Sequence, residues 1–340
     1  MTQKIQRSLK DRVAAAEERG ETKPASGPDS WDPLEKYTQG EMLKVHHSHP
    51  MALLSDIDIN LIGEWEELPD EKLLAQPFGD YAAERKNHGT LRALLFGAVI
   101  EITKAHKVTV CAPQQSPTSN KPPKTFLIYN LSEAQKQILL QRKVWSSTNI
   151  SFHVAPLEPT CPDYLFTIKG LTTLTMEQLE KTIEEVWHDE ATFTFLKTIC
   201  EQVPVETQKQ AEQTLLAFID SMRVTQLDTK NKGDIPAPSF CVYASGNIIN
   251  EESTWCRLRN YLTSREYKIK FQDPGIVYIP HRPCSLCHGA DHPRGLCPFP
   301  QKKGWNGPTG KIDSPLIDLE RRSDTTSFRD RNRAKAARIF

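Results

Sequence analysis

The chain has no long apolar run. None of its hydrophobic stretches approaches the ~18 to 20 residues that a membrane-spanning helix needs, and the opening MTQKIQRSLKDRVAAAEERG lacks the apolar core of a secretory signal. These absences imply an intracellular protein with no membrane partner. Net charge is missing too: 43 Lys and Arg balance 43 Asp and Glu across 340 residues, so any affinity for a polyanion must be local. There is no Walker-type phosphate loop, no GxGxxG after a strand, no GxSxG elbow and no HExxH helix. Nor is there a paired-aspartate turn of a polymerase or an Asp, Glu and His set of a nuclease. Asp56 and Asp58 in SDIDIN have no acidic partner and read as capping or surface groups rather than a two-metal site. The chain therefore reads as a non-enzyme. Its eight cysteines are not a disulfide framework in a reducing compartment, which makes close spacing the informative quantity.

Only PCSLCHGADHPRGLCP, residues 283–298, has that spacing. Cys284, Cys287, His292 and Cys297 form C-x2-C-x4-H-x4-C, the pattern of a zinc knuckle. Two cysteines separated by two residues can face one point from a tight turn, and the loop that follows returns a His and a Cys to close a tetrahedron around Zn2+. Four protein ligands leave no open position, so the site reads as structural. A redox pair at Cys284 and Cys287 wants a helix mouth after a strand. Pro283, Gly289, Pro293 and Gly295 instead describe successive turns. His288 competes for the metal only with poorer chelate geometry than His292, because it adjoins Cys287. Retroviral-type knuckles carry an aromatic after the first Cys and glycines after the second Cys and before the His. Here those places hold Ser285, His288 and Asp291.

A zinc centre with three thiolates carries a formal charge of about minus one, so attraction for phosphate must come from neighbours. Arg282, Arg294, Lys302 and Lys303 supply it, and Trp305 offers a ring for base stacking. From Gln301 to Phe340 ten Lys or Arg stand against five Asp or Glu, in a segment too poor in apolar residues to fold alone. Two functions fit: binding of single-stranded RNA or DNA, or a zinc-stabilised protein-interaction module without that affinity. Because most apolar residues precede Pro280, the knuckle reads as an appendage whose loss would leave the main domain folded.

Ahead of the knuckle the pattern divides into a disordered leader over 1–45, a small mixed helix and strand region with a linker over 46–119, and an α+β domain over 120–280. The knuckle follows at 281–300 and a basic disordered tail at 301–340. VHHSHP, with His46, His47 and His49, reads as a polar loop, and LIGEWEELPDEKLLAQPFGD as an acidic stretch that packs or meets a protein. APQQSPTSNKPPK reads as a linker, which places a boundary near Asn120. GTLRALLFGAVIEITKAH has helical spacing. Ser132 with Gln135, and Thr175 with Gln178, stand in capping-box register at two helix starts. TFLIYNL, ISFHVAPL, DYLFTIKGL and SFCVYAS read as strands, and ATFTFLKTI fits either element. This alternation predicts one or two ferredoxin-like sandwiches, the architecture of RNA-recognition domains. In that frame Tyr129, Phe166, Phe193 and Phe195 at strand positions read as packing residues rather than a base platform.

TFLIYNLSEAQKQILLQRKVW, VWHDE, GDIPAPSFCVYASGNIINEESTWCRLRNYL and CSLCHGADHPRGLCPFPQKKGWNGP together resemble the Gag-like proteins associated with retrotransposons of mushroom-forming fungi. The likeness covers roughly Met51 to Pro308 and is most specific at the knuckle with its DHPRGLCPFP continuation. It implies binding and packaging of element RNA with assistance of strand annealing, zinc held by Cys284, Cys287, His292 and Cys297, and no catalytic residues; self-association is a further expectation.

Overall fold

The computed structural model describes residues 32–33, 43–79, 87–105, 107–171, 175–200, 208–231, 233, 235–249, 251–269 and 274–309. Most of the expected disordered leader, and the tail beyond Thr309, lie outside them. Two antiparallel sheets are each backed by helices, giving an α+β protein. Among the described residues no helix is long and apolar enough to cross a membrane.

The first sheet joins β1 (Asp32–Pro33), β2 (Glu71–Pro77), β3 (Thr109–Cys111), β4 (Phe126–Leu131), β5 (Val144–Ser146) and β6 (Ser151–Pro156) in the order β1-β5-β6-β2-β4-β3. Strand periodicity sends alternate side chains to opposite faces. Leu73, Ala75, Phe126, Ile128, Phe152 and Val154 meet α2 (His88–Thr103) and α3 (Glu133–Arg142) through Leu91, Leu95, Val99 and Leu139. On the other face Leu74 and Leu127 pack against Ile62 and Trp65 of α1 (Ile59–Glu67). Both faces are covered, which is why LLA in β2 is apolar without alternation. Asp58 caps α1, accepting from the Asn60 N–H at 2.8 Å, and Asp56 accepts from the Ser119 hydroxyl at 2.7 Å.

The expected boundary near Asn120 is corrected by this sheet. β4 lies beyond it, yet pairs with both β2 and β3. The Pro-rich stretch is the β3–β4 connection, a loop inside a unit rather than a linker between units. The acidic stretch 61–80 likewise resolves into most of α1 and the central strand β2.

The second sheet has the order β10-β7-β9-β8, with β7 (Tyr164–Lys169), β8 (Arg223–Leu227), β9 (Ser239–Tyr243) and β10 (Ile276–Tyr278). Between β7 and β8 run α4 (Met176–His188), α5 (Glu190–Cys200) and α6 (Gln208–Asp220), and α7 (Glu252–Thr263) joins β9 to β10. Phe166, Ile168, Phe240 and Val242 of the sheet form one core with the helices. They meet Leu179, Ile183 and Trp187 of α4, Leu215 and Phe218 of α6, and Trp255, Leu258 and Leu262 of α7.

The i, i+4, i+8 spacing of Leu179, Ile183 and Trp187 puts all three on one buried face of α4. ATFTFLKTI is helical as α5, so Phe193 and Phe195 are not strand residues; Phe195 stacks on Tyr261 at 3.9 Å. Phe166 is fully buried beneath the helices and Tyr129 packs towards α1. Both capping boxes are formed, at Ser132 and at Thr175.

Candidate metal centre

The knuckle is built by short-range bonds. The Cys284 N–H donates to the Gly289 carbonyl at 2.7 Å and the His288 N–H to the Cys284 carbonyl at 2.8 Å, closing the turn that carries the first two cysteines. His288 holds φ +64°, the left-handed conformation that glycine adopts more easily. Gly289 sits where a Cβ would be tight, 3.2 Å from both Cys287 Sγ and His292 Cε1, so a side chain there would push on the ligands. A short 3-10 turn, Arg294–Leu296, then delivers Cys297.

Cys284, Cys287, His292 and Cys297 are all buried, and their four ligand atoms lie within 4.8 Å of one another. Cys287 Sγ is 3.3 Å from His292 Nε2. Donors held about 2.0 to 2.3 Å from one tetrahedral zinc stand roughly 3.3 to 3.8 Å apart, so the set fits Zn2+. Backbone N–H groups of Leu286 and Gly289 point at Cys284 Sγ and Cys287 Sγ, at 3.4 and 3.3 Å, and offset thiolate charge. Hydrogen bonds from the Cys287 and Cys297 thiols push the Cys284 thiol far down, and the same bond with Cys284 pushes Cys287 up. Thiols this close bind a divalent cation with release of their protons.

Behind the ligands stands a second layer. His292 Nδ1 meets Asp291 Oδ1 at 2.8 Å, which leaves Nε2 as the ligand atom. Burial opposes the imidazolium, yet bonds with Asp291, Cys284 and Cys297 outweigh it and push the His292 pKa up to about 12. Asp291 is held in turn by the second sheet: the Tyr243 hydroxyl donates to Oδ2 at 2.8 Å, and the Cys241 thiol to the Asp291 carbonyl at 2.9 Å. In the sequence Asp291 reads only as a missing glycine, and nothing there points to Tyr243. The available signal is a carboxylate directly before the ligand His.

The knuckle is not an appendage. Leu286, Phe299 and the three ligand cysteines share a cluster with Phe78 and Val144 of the first unit, joined by Leu43, Val45 and Trp305. Ala290 packs with Tyr164, Cys241 and Tyr243 of the second. The Gly79 N–H donates to the Leu286 carbonyl at 2.8 Å and the Ala290 N–H to the His46 carbonyl at 2.6 Å. His288 is turned away from the ligand set, with Nε2 3.2 Å from the Pro77 carbonyl.

The expected nucleic-acid contacts divide. Arg282 and Lys303 are exposed, and Lys302 is half-buried. Arg294 bonds the Ser285 hydroxyl at 3.2 Å and the Thr309 carbonyl at 3.5 Å. Trp305 is corrected as an open stacking face: its ring lies 5.3 Å from both Phe78 and Phe299, and its Nε1–H donates to Pro308. With the Asn306 N–H on Ser146 Oγ at 3.0 Å, residues 301–309 pack on the first sheet instead of beginning a free tail.

His49, Glu252 and Cys256 form a second group of close donors, with His49 Nε2 3.3 Å from Cys256 Sγ and 3.7 Å from Glu252 Oε1. His49 Nδ1 accepts from the Met51 N–H at 3.1 Å, so Nε2 carries the ring proton and presents no lone pair to a metal. No protein family and no curated protein matches the chain.

Proposed function

We propose that the chain is a zinc-dependent nucleic-acid-binding protein without catalytic residues, in which the knuckle joins two α+β units and gathers basic side chains around their junction. Support comes first from the buried Cys3His set, whose donor chemistry suits zinc and whose four ligands suit a structural ion. Arg282, Arg294, Lys302 and Lys303 flank that set in a chain with no net charge. We read both units as ferredoxin-like: in 71–156 and in 164–278 the strands follow the order fourth-first-third-second of a β-α-β-β-α-β succession, with β5 added beside the fourth strand of the first unit and three helices in place of the first one in the second. The sequence likeness to retrotransposon Gag-like proteins makes single-stranded RNA or DNA of an element the proposed partner, with self-association.

The packing of Trp305 and the depth of the ligands favour a second reading, a zinc-stabilised protein-interaction module. Binding of a labelled single strand by the full chain over a salt series separates the two. The first reading expects log affinity to fall with log salt by about 0.7 per phosphate contact. Absence of salt-sensitive binding would leave the second.

A further inference from the structure

A cavity of about 720 Å³ opens beside the knuckle, where residues 47–57, 121–125 and 281–290 meet. That size lies within the range of roughly 300 to 1,000 Å³ that holds a small organic ligand. Its floor is polar and already paired: Gln76 donates to Thr125 Oγ1 at 3.2 Å and meets His153 Nε2 at 3.1 Å. The ring of His47, 5.2 Å from that of His153, forms part of the wall, and neither of its nitrogens has a hydrogen-bond partner among the described residues. Burial, then His46, push its pKa down to about 4, so the ring is neutral at pH 7. Met51, Leu53 and Ile57 add apolar surface.

The lining carries net positive charge. Lys121, Lys124 and Arg282 line the cavity, against the single carboxylate of Asp56, which already accepts from Ser119. Lys121 and Arg282 are exposed. Cys284 lies on the wall as well, and a zinc centre built on its thiolate and two others would keep an anion at the cationic rim. A ligand that matches joins a phosphate to a flat, hydrogen-bonding ring.

We propose that this cavity binds one nucleoside monophosphate unit, with its phosphate among Lys121, Lys124 and Arg282 and its base against His47. The unit is either a free nucleotide or one residue of a single strand, and the proposal deepens the nucleic-acid reading above. Calorimetric titration of the zinc-loaded full chain with nucleoside 5′-monophosphates tests it, with the parent nucleosides and inorganic phosphate as separate arms and a single-stranded oligonucleotide measured in parallel. The expected result is saturable nucleotide binding at least tenfold tighter than either fragment. Lys121→Glu, which reverses charge at the rim, and Ala52→Trp, which fills the cavity, each weaken it at least tenfold. Lys181→Glu makes the same charge change on the exposed face of α4 and leaves it unaltered. Thermal melts show that each variant is folded. Inorganic phosphate binding as tightly as the nucleotide overturns the proposal, as does nucleotide binding that both cavity variants retain. Strand binding without nucleotide binding removes the cavity site and keeps the broader reading; nucleotide binding without strand binding does the reverse.

Discussion

Removing the zinc should destabilise the junction of the two units and not the knuckle alone. Leu286, Phe299, Phe78 and Val144 are each no more than 3% exposed in the cluster that surrounds the ligands. Full burial of one such side chain contributes about 1.5 to 3 kcal/mol, so the four together contribute roughly 6 to 12 kcal/mol as an upper bound. Phe78 and Val144 keep neighbours in the sheet when the loop is released, and a disordered loop still covers some surface. A loss of about 3 to 5 kcal/mol is therefore expected, a large share of the roughly 5 to 15 kcal/mol that a folded protein has. At about 2.1 cal/mol/K of unfolding entropy per residue, which for a chain of this size is about 1.4 °C per kcal/mol, chelation should lower the melting temperature by roughly 4 to 7 °C. The assay is differential scanning calorimetry with near-ultraviolet circular dichroism, before and after a strong chelator and after zinc is restored. Cys287→Ser should reproduce the chelated state and bind less than one equivalent of zinc. An unchanged melt and an unchanged aromatic signal in metal-free protein would refute the argument, because the packed rings of Phe78, Phe299 and Trp305 could not then depend on the ion.

Tyr243→Phe removes the hydroxyl that holds Asp291 against His292, and should weaken zinc binding by about 10- to 100-fold in competition with a chromophoric chelator. Acid should weaken the fold through His47, whose folded pKa of about 4 lies below its unfolded value of about 6.5. Its contribution is intact above pH 6.5 and lost as pH falls towards 4, worth about 3 kcal/mol before allowance for its partial exposure. Urea melts of His47→Gln should therefore show a flatter pH dependence than wild type across that window. Trp305→Ala should cost about 2 kcal/mol by emptying a half-buried aromatic site, while the salt slope of strand binding stays the same.

Local signals were legible in the sequence. The capping boxes at Ser132 and Thr175 are read within four residues, and the knuckle ligands within fourteen. What escaped depends on pairing between distant residues. β2 follows the acidic stretch before it and opens on the charged pair Glu71 and Lys72, and only its place between β4 and β6 makes it the centre of a sheet. The 112–124 stretch has the composition of a linker, yet composition records only that the backbone is irregular there. Whether an irregular segment joins two units or crosses one is decided by β4 returning to β2.

The same distinction bears on the proposed nucleic-acid partner. An open sheet face with exposed aromatics would be the natural platform for bases. In the first unit α1 covers that face with Ile62 and Trp65, and the knuckle covers its edge with Leu286 and Phe299. In the second unit Ala290 and Asp291 lie over Tyr164 and Tyr243, which leaves Tyr278 with Lys169 3.7 Å above its ring at the far side. Stacking on the sheets is therefore largely closed by α1 in the first unit and by the knuckle in the second, and among the described residues Arg282, Lys303 and Lys121 are exposed cations along the knuckle's margin. A strand bound there would follow the junction of the units, and its affinity would depend on zinc through the position of that margin and not through contact with the ion. Chelation should then abolish the salt-dependent part of binding in step with the loss of the near-ultraviolet signal; binding that outlasts that signal would place the contacts on surfaces the knuckle does not organise.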